Sequence, residues 1–177
     1  MRQIVLLRGI NLGPTRRVPM ADLRELLSDA GYEDVRTYVQ SGNIVLSSDA
    51  TPAQLEDQCA KLISERFGFE VPVVVRTRDE LAKVVAANPL QAFADNPKRY
   101  QVSFLHKRLD PETAERVRGL AVEPEKLVID GREIYAWHPA GVARSKLWNG
   151  LAGKGLGVTV TARNWTTVTT LLTMADE

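Results

Sequence analysis

The sequence predicts an α+β protein made of two tandem βαββαβ units, each followed by a further helix. Three observations predict it. Short apolar runs and segments of helical periodicity follow one another in the same order twice along the chain. Glycine, proline, asparagine and aspartate punctuate the joints between them. The 177 residues, 44% of them apolar, are enough to bury two small cores.

The first unit begins with an apolar strand from Gln3 to Arg8, ending in a loop rich in glycine and arginine. Pro19 suits the first turn of a helix, where its missing N–H costs nothing. Leu23, Leu26, Leu27 and Ala30 then keep helical spacing, and Gly31 stops it. Val35 to Val39 and Ile44 to Leu46 read as strands joined by the turn signal Ser41-Gly42-Asn43. Thr51-Pro52 opens a second helix with Leu55, Cys59, Leu62 and Ile63 on one face, ending near Gly68. Val71 to Val75 is the fourth strand. The spacing Thr77 to Glu80 is that of a capping box, opening a helix over 81–87 that Asn88-Pro89 ends.

The order then repeats. Tyr100 to Leu105 reads as a strand, and Asp110-Pro111 caps a helix carrying Ala114 and Val117. Leu127 to Ile129 and Glu133 to Trp137 pair across the hairpin signal Asp130-Gly131. Ser145 to Ala152 is helical, with Leu147, Trp148 and Leu151 inward, and Gly153, Gly155 and Gly157 break it. Val158 to Ala162 is the last strand, and Asn164 caps a helix with Val168, Leu171 and Leu172 inward. The halves share element order and little residue identity. Their order is that of the ferredoxin-like split βαβ unit. The expected division is a first unit with its helix over 1–89, a linker over 90–98, and a second unit with its helix over 99–177.

In such a unit the strands lie in the order 4-1-3-2. That order brings particular loops to one sheet edge. In the first half it puts Arg8, Asn11, Arg16 and Arg17 beside Gln40, Ser41 and Asn43. In the second it puts Arg144, Ser145 and Lys146 near Arg163, Asn164 and Trp165. Each cluster is basic, rich in amides and poor in carboxylates. Arginine offers a planar fork of donors and lysine a point charge, the groups that fix a phosphate or carboxylate. With a formal net charge of +1, such binding has to come from a local cluster rather than from bulk charge. Neither a Walker loop nor a dinucleotide fingerprint is present, because the glycine and lysine spacings differ. Ser145 next to Lys146 reads as a helix N-cap, since adjacent helical residues diverge by about 100°. His106 and His138 fall at opposite sheet edges, and no carboxylate or cysteine cluster joins them, so no metal site and no cofactor is expected. Cys59 is the only cysteine and reads as a core residue, which fits a reducing, cytoplasmic setting. The apolar run from Ile4 to Leu7 is too short for a membrane span.

The run Leu7-Arg8-Gly9-Ile10-Asn11 with Gly13, then Val18-Pro19-Met20, then Tyr38 to Asn43, resembles a bacterial family catalogued as domain of unknown function 1697. Arg144-Ser145-Lys146-Leu147 and Thr161-Ala162-Arg163-Asn164-Trp165 resemble that family's two late motifs. The resemblance implies an α+β protein with ferredoxin-like halves and supplies no reaction. The chain departs from the family pattern after Gly13, where Pro14-Thr15 stiffens the loop. That departure favours anion contacts from the Arg16 and Arg17 side chains over a backbone cradle.

Three functions follow from these residues. The first is binding of a small phosphorylated or carboxylated ligand through the basic, amide-rich loops, whether or not a reaction follows. The second is binding of single-stranded nucleic acid, motivated by Tyr38, Tyr100, Phe104, Tyr135 and Trp137 on strands, although no RNP-type motif accompanies them and the pI of 7.9 is low for the class. The third is a non-enzymatic scaffold or homo-oligomer in which the loops only pack. The fold cannot choose among them, because this scaffold hosts many functions.

Overall fold

The computed structural model describes residues 1–152 and 154–177. The elements of the first half are β1 (Arg2–Leu7), α1 (Met20–Asp29), β2 (Glu33–Tyr38), β3 (Asn43–Ser47), α2 (Pro52–Phe67), β4 (Val73–Thr77) and α3 (Arg78–Ala87). Those of the second are β5 (Tyr100–Leu105), α4 (Pro111–Arg118), β6 (Lys126–Asp130), β7 (Glu133–Trp137), α5 (Lys146–Ala152), β8 (Val160–Asn164) and α6 (Trp165–Ala175). They form two compact units, one of Met1–Ala82 with Leu171–Glu177 and one of Lys83–Thr170.

Each unit holds a four-stranded antiparallel sheet, in the orders β2-β3-β1-β4 and β6-β7-β5-β8. The protein is therefore an α+β protein of tandem ferredoxin-like units. In the first unit Val5 lies opposite Ile44 on one side and Val75 on the other. In the second, Val102 lies between Tyr135 and Arg163. These registers bring the end of β1 beside the β2–β3 hairpin, where the Leu7 amide donates to the Gly42 carbonyl at 2.9 Å.

Local chemistry explains the helix boundaries. Pro19 is the N-cap of α1, whose buried residues Met20, Leu23 and Leu27 form one face. Thr51 and Gln54 form a reciprocal capping box at α2, which ends at Gly68 in the left-handed conformation. Thr77 and Glu80 do the same at α3, each backbone N–H bonding the other's side chain at 3.0 and 3.1 Å. Asp110 caps α4 through the Thr113 amide, and Asn164 caps α6 through the Thr167 amide. Gly153, read as a helix breaker, lies outside the described residues.

The core of the first unit packs Val5, Leu7, Ile44, Leu46, Val73 and Val75 from the sheet against α1 and α2. Cys59 is fully buried there, and burial pushes its thiol up to about 12. In the second unit Leu147 and Leu151 of α5 and Val117 of α4 pack on Leu105, Ile134 and Ala136. Each such buried aliphatic side chain is worth about 1.5–3 kcal/mol over its exposed state. No described helix is long and apolar enough to cross a membrane.

Candidate functional site

The loop from Arg8 to Val18 is held in shape by two of its own side chains. Asn11 donates through Nδ2 to the carbonyls of Val18 at 2.9 Å and Gln40 at 2.8 Å, and its Oδ1 accepts from the Val18 amide at 2.8 Å. One side chain thus closes the loop and ties it to the hairpin. Arg16 donates through Nε to the Gly9 carbonyl at 2.9 Å and through Nη2 to the Glu70 carbonyl at 2.8 Å. Its guanidinium also lies 4.8 Å from the centre of the Phe69 ring. Asn11 and Arg16 both adopt φ of +56°, and the Asn11 amide donates to the Arg16 carbonyl at 3.1 Å. Asn43 is fully buried, donating to the Tyr38 carbonyl at 3.0 Å and the Ser41 hydroxyl at 2.9 Å. Asn11, Arg16 and Asn43 therefore shape this edge by bonding backbone and hairpin. Arg17, Gln40 and Ser41 are exposed and Arg8 is half-buried.

The second unit divides its basic residues between two places. Arg163 is buried on β8, where its Nη1 donates to the Thr161 hydroxyl at 2.7 Å and the Ala162 carbonyl at 2.8 Å. Burial lowers its guanidinium to about 10. Asn164 is committed to capping α6. Arg144 and Lys146 instead line a cleft of about 430 Å³ between the Val122–Glu125 turn and the segment leading into α5. Arg163 and Asn164 are not part of that lining.

The cleft is braced from behind by groups that the sequence does not bring together. The Glu125 carboxylate oxygen Oε2 accepts from the Ser145 hydroxyl at 2.6 Å and from His138 Nδ1 at 2.8 Å. Its Oε1 accepts from the Val122 amide at 3.3 Å. Burial opposes ionisation of Glu125, yet these three hydrogen bonds outweigh it and hold the carboxyl below its usual range. Ser145 also accepts from the Trp148 amide at 3.1 Å, so it is the N-cap expected of it. His138 is fully buried, edge-on to Trp148 with ring centres 6.0 Å apart. This constellation lacks the order of a nucleophile activated by imidazole. Both Ser145 and His138 direct a proton at Glu125, and Nε2 of His138 meets no described polar atom. Glu125 and His138 are 13 residues apart and Ser145 lies 7 beyond His138, with no spacing motif to reveal them.

The charges lining the cleft are unequal in availability. Glu123 is paired with Lys126 at 3.0 Å, and Glu125 is saturated as described. Arg144 and Lys146 are both exposed, and neither makes a side-chain hydrogen bond or ion pair with any described residue. The cleft thus presents two uncommitted cations and no uncommitted carboxylate. A depression of about 380 Å³ in the first unit is bordered by Glu33, Asp49 and Met1 and has no arginine or lysine in its lining. Among the described residues no group of three or more His, Cys, Asp or Glu is placed to hold a metal ion.

Of the five strand aromatics, Tyr38 at the end of β2 is half-buried. Tyr100, Phe104, Tyr135 and Trp137 are all buried, with Tyr100 stacked on Trp165 at 4.8 Å and the Tyr135 hydroxyl donating to the Val84 carbonyl at 3.0 Å. These four buried rings present no open face on which a base could stack.

Residues 1–135 match the model of a family described as a protein of unknown function, DUF1697. Arg144 and Lys146 lie beyond the matched residues. The solved structure of conserved bacterial protein SP0830 from Streptococcus pneumoniae is similar over 98% of each chain, with a TM-score of 0.81 and 24% identity, a likeness of fold. No curated protein matches the chain.

Proposed function

The chain belongs to the DUF1697 family of proteins of unknown function, and we propose that it binds a small anionic ligand, phosphorylated or carboxylated, in the cleft of its second unit. Arg144 and Lys146 are the ligand-contacting cations. One observation carries this reading: they are the cleft's only charged side chains left without a partner among the described residues. Two cations lining one cleft can share one anion, the arginine through two parallel N–H bonds and the lysine as a point charge. Arg17, Gln40 and Ser41 on the first unit's loop edge are the lesser candidate, because the best donors there, Asn11 and Arg16, are committed to carbonyls. A reducing, cytoplasmic setting fits the lone buried Cys59.

Thermal melting in sodium phosphate or citrate, against chloride at equal ionic strength, tests the reading. An anion present at ten times its Kd stabilises by about 1.4 kcal/mol, a shift of a few degrees. The shift is expected in the wild type and in the Arg8→Ala/Arg17→Ala variant, and lost in Arg144→Ala/Lys146→Ala. The reverse pattern moves the site to the first unit's loop. Absence of any shift with either anion ends the proposal.

A further inference from the structure

The cleft holding Arg144 and Lys146 is far larger than a bare phosphate needs. Its 430 Å³ lies within the range, about 300–1,000 Å³, of pockets that enclose whole organic molecules. Apart from the charged side chains and Ser145, its lining is apolar or backbone: Val122, Pro124, Pro139, Ala140 and Ala143 with Gly141. Val122 is 60% exposed, one of the few large apolar side chains left open to water among the described residues. The prolines and alanines are short or rigid, so they lose little side-chain freedom when something packs on them. The segment that carries Pro139, Ala140 and Ala143 is closed by two turns, with the Gly141 amide donating to the His138 carbonyl at 2.8 Å and the Ser145 amide to the Val142 carbonyl at 3.1 Å. A polar anion alone would leave these walls wet.

From this juxtaposition we infer that the ligand is amphiphilic: a phosphate or carboxylate head on Arg144 and Lys146, and an apolar body lying against Val122, Pro124 and Pro139. The inference rests on the anion reading and adds the class of molecule. Charge complementarity sets the orientation. The head goes to the uncommitted cations, and the body covers the wall whose only acids, Glu123 and Glu125, are already satisfied by Lys126, Ser145 and His138. The occupant is a small soluble molecule.

Isothermal titration of the full chain with inorganic, methyl, butyl and hexyl phosphate, and with hexanol as the neutral control, tests it. Affinity is expected to rise roughly three- to fourfold per added methylene until the body fills the cleft. Hexanol should not bind at matched concentration, Arg144→Ala/Lys146→Ala should lose every ester, and Val122→Ser should shrink the gain from methyl to hexyl phosphate. Equal affinity for all the esters, with loss in the double variant, overturns the amphiphile and leaves the anion site standing. No binding of phosphate or any ester overturns both. Sedimentation with vesicles containing phosphatidic acid, without calorimetric binding of the soluble esters, overturns the soluble ligand in favour of a lipid surface.

Discussion

Val39 carries a β-branched side chain on a left-handed backbone, with φ of +50°, while half exposed in the β2–β3 turn. That conformation costs an L-residue about 1–2 kcal/mol, and asparagine tolerates it better. Val39→Asn should therefore stabilise the protein by about 1 kcal/mol in urea denaturation; a loss of stability would mean that the valine side chain packs usefully. Three residues further, Gly42 has φ of +90°, and an added Cβ would stand 2.6 Å from Cβ of Leu7. Gly42→Ala should cost about 2 kcal/mol or more, from strain and overlap together. The turn was legible, because Ser41-Gly42-Asn43 is turn chemistry. The division of labour among the polar residues was not. Arginine and asparagine in a glycine loop look the same whether their donors meet a ligand or a carbonyl. Only the fold shows Asn11 bonded to Val18 and Gln40, and Arg16 to Gly9 and Glu70.

Helix starts are where sequence and structure agree most closely, since a cap is a matter of three or four consecutive residues. Thr77 with Glu80, Asp110 and Asn164 act at their expected places, and Thr51 opens α2 as expected, with Gln54 completing a capping box there. Thr51→Ala should cost about 1 kcal/mol, read as a lower urea midpoint at unchanged m-value. The brace behind the cleft is an assembly of elements, and it was invisible in the sequence. Glu125 precedes β6, His138 follows β7 and Ser145 precedes α5, so only the sheet order brings them together. It carries a pH prediction. Against burial, which raises it, the hydrogen bonds from Ser145, His138 and Val122 leave the Glu125 carboxyl lowered on folding. A group with a depressed folded pKa contributes its stability above the unfolded value and loses it as pH falls through the folded one. Stability should accordingly decline below about pH 4.5, the ordinary glutamate range. Glu125→Gln should be less stable at neutral pH and show a shallower acid decline; parallel curves for the two proteins would contradict this.

At the scale of the whole molecule, the repeated order of elements was readable because turn and cap residues bound the runs, even with little residue identity between the halves. The grouping of Leu171–Glu177 with the first unit has no local signature. It involves Arg36 with Glu177 at 2.5 Å and Arg78 with Asp176 at 2.6 Å, pairs separated by 141 and 98 residues. The near-neutral total charge has a consequence for binding. With a net charge of +1, only local cations attract the ligand, so raising salt from about 50 to 200 mM should weaken phosphate binding only a few-fold. A far steeper dependence would point to a polyanion spread over a wider surface. The proposed site holds an anion between Arg144 and Lys146. Amide chemical-shift mapping of the full chain during titration with inorganic phosphate tests it most directly. Saturable shifts should concentrate on residues 140–147 and 122–125; saturable shifts confined to residues 8–18 and 40–43, or none at either place, would contradict it.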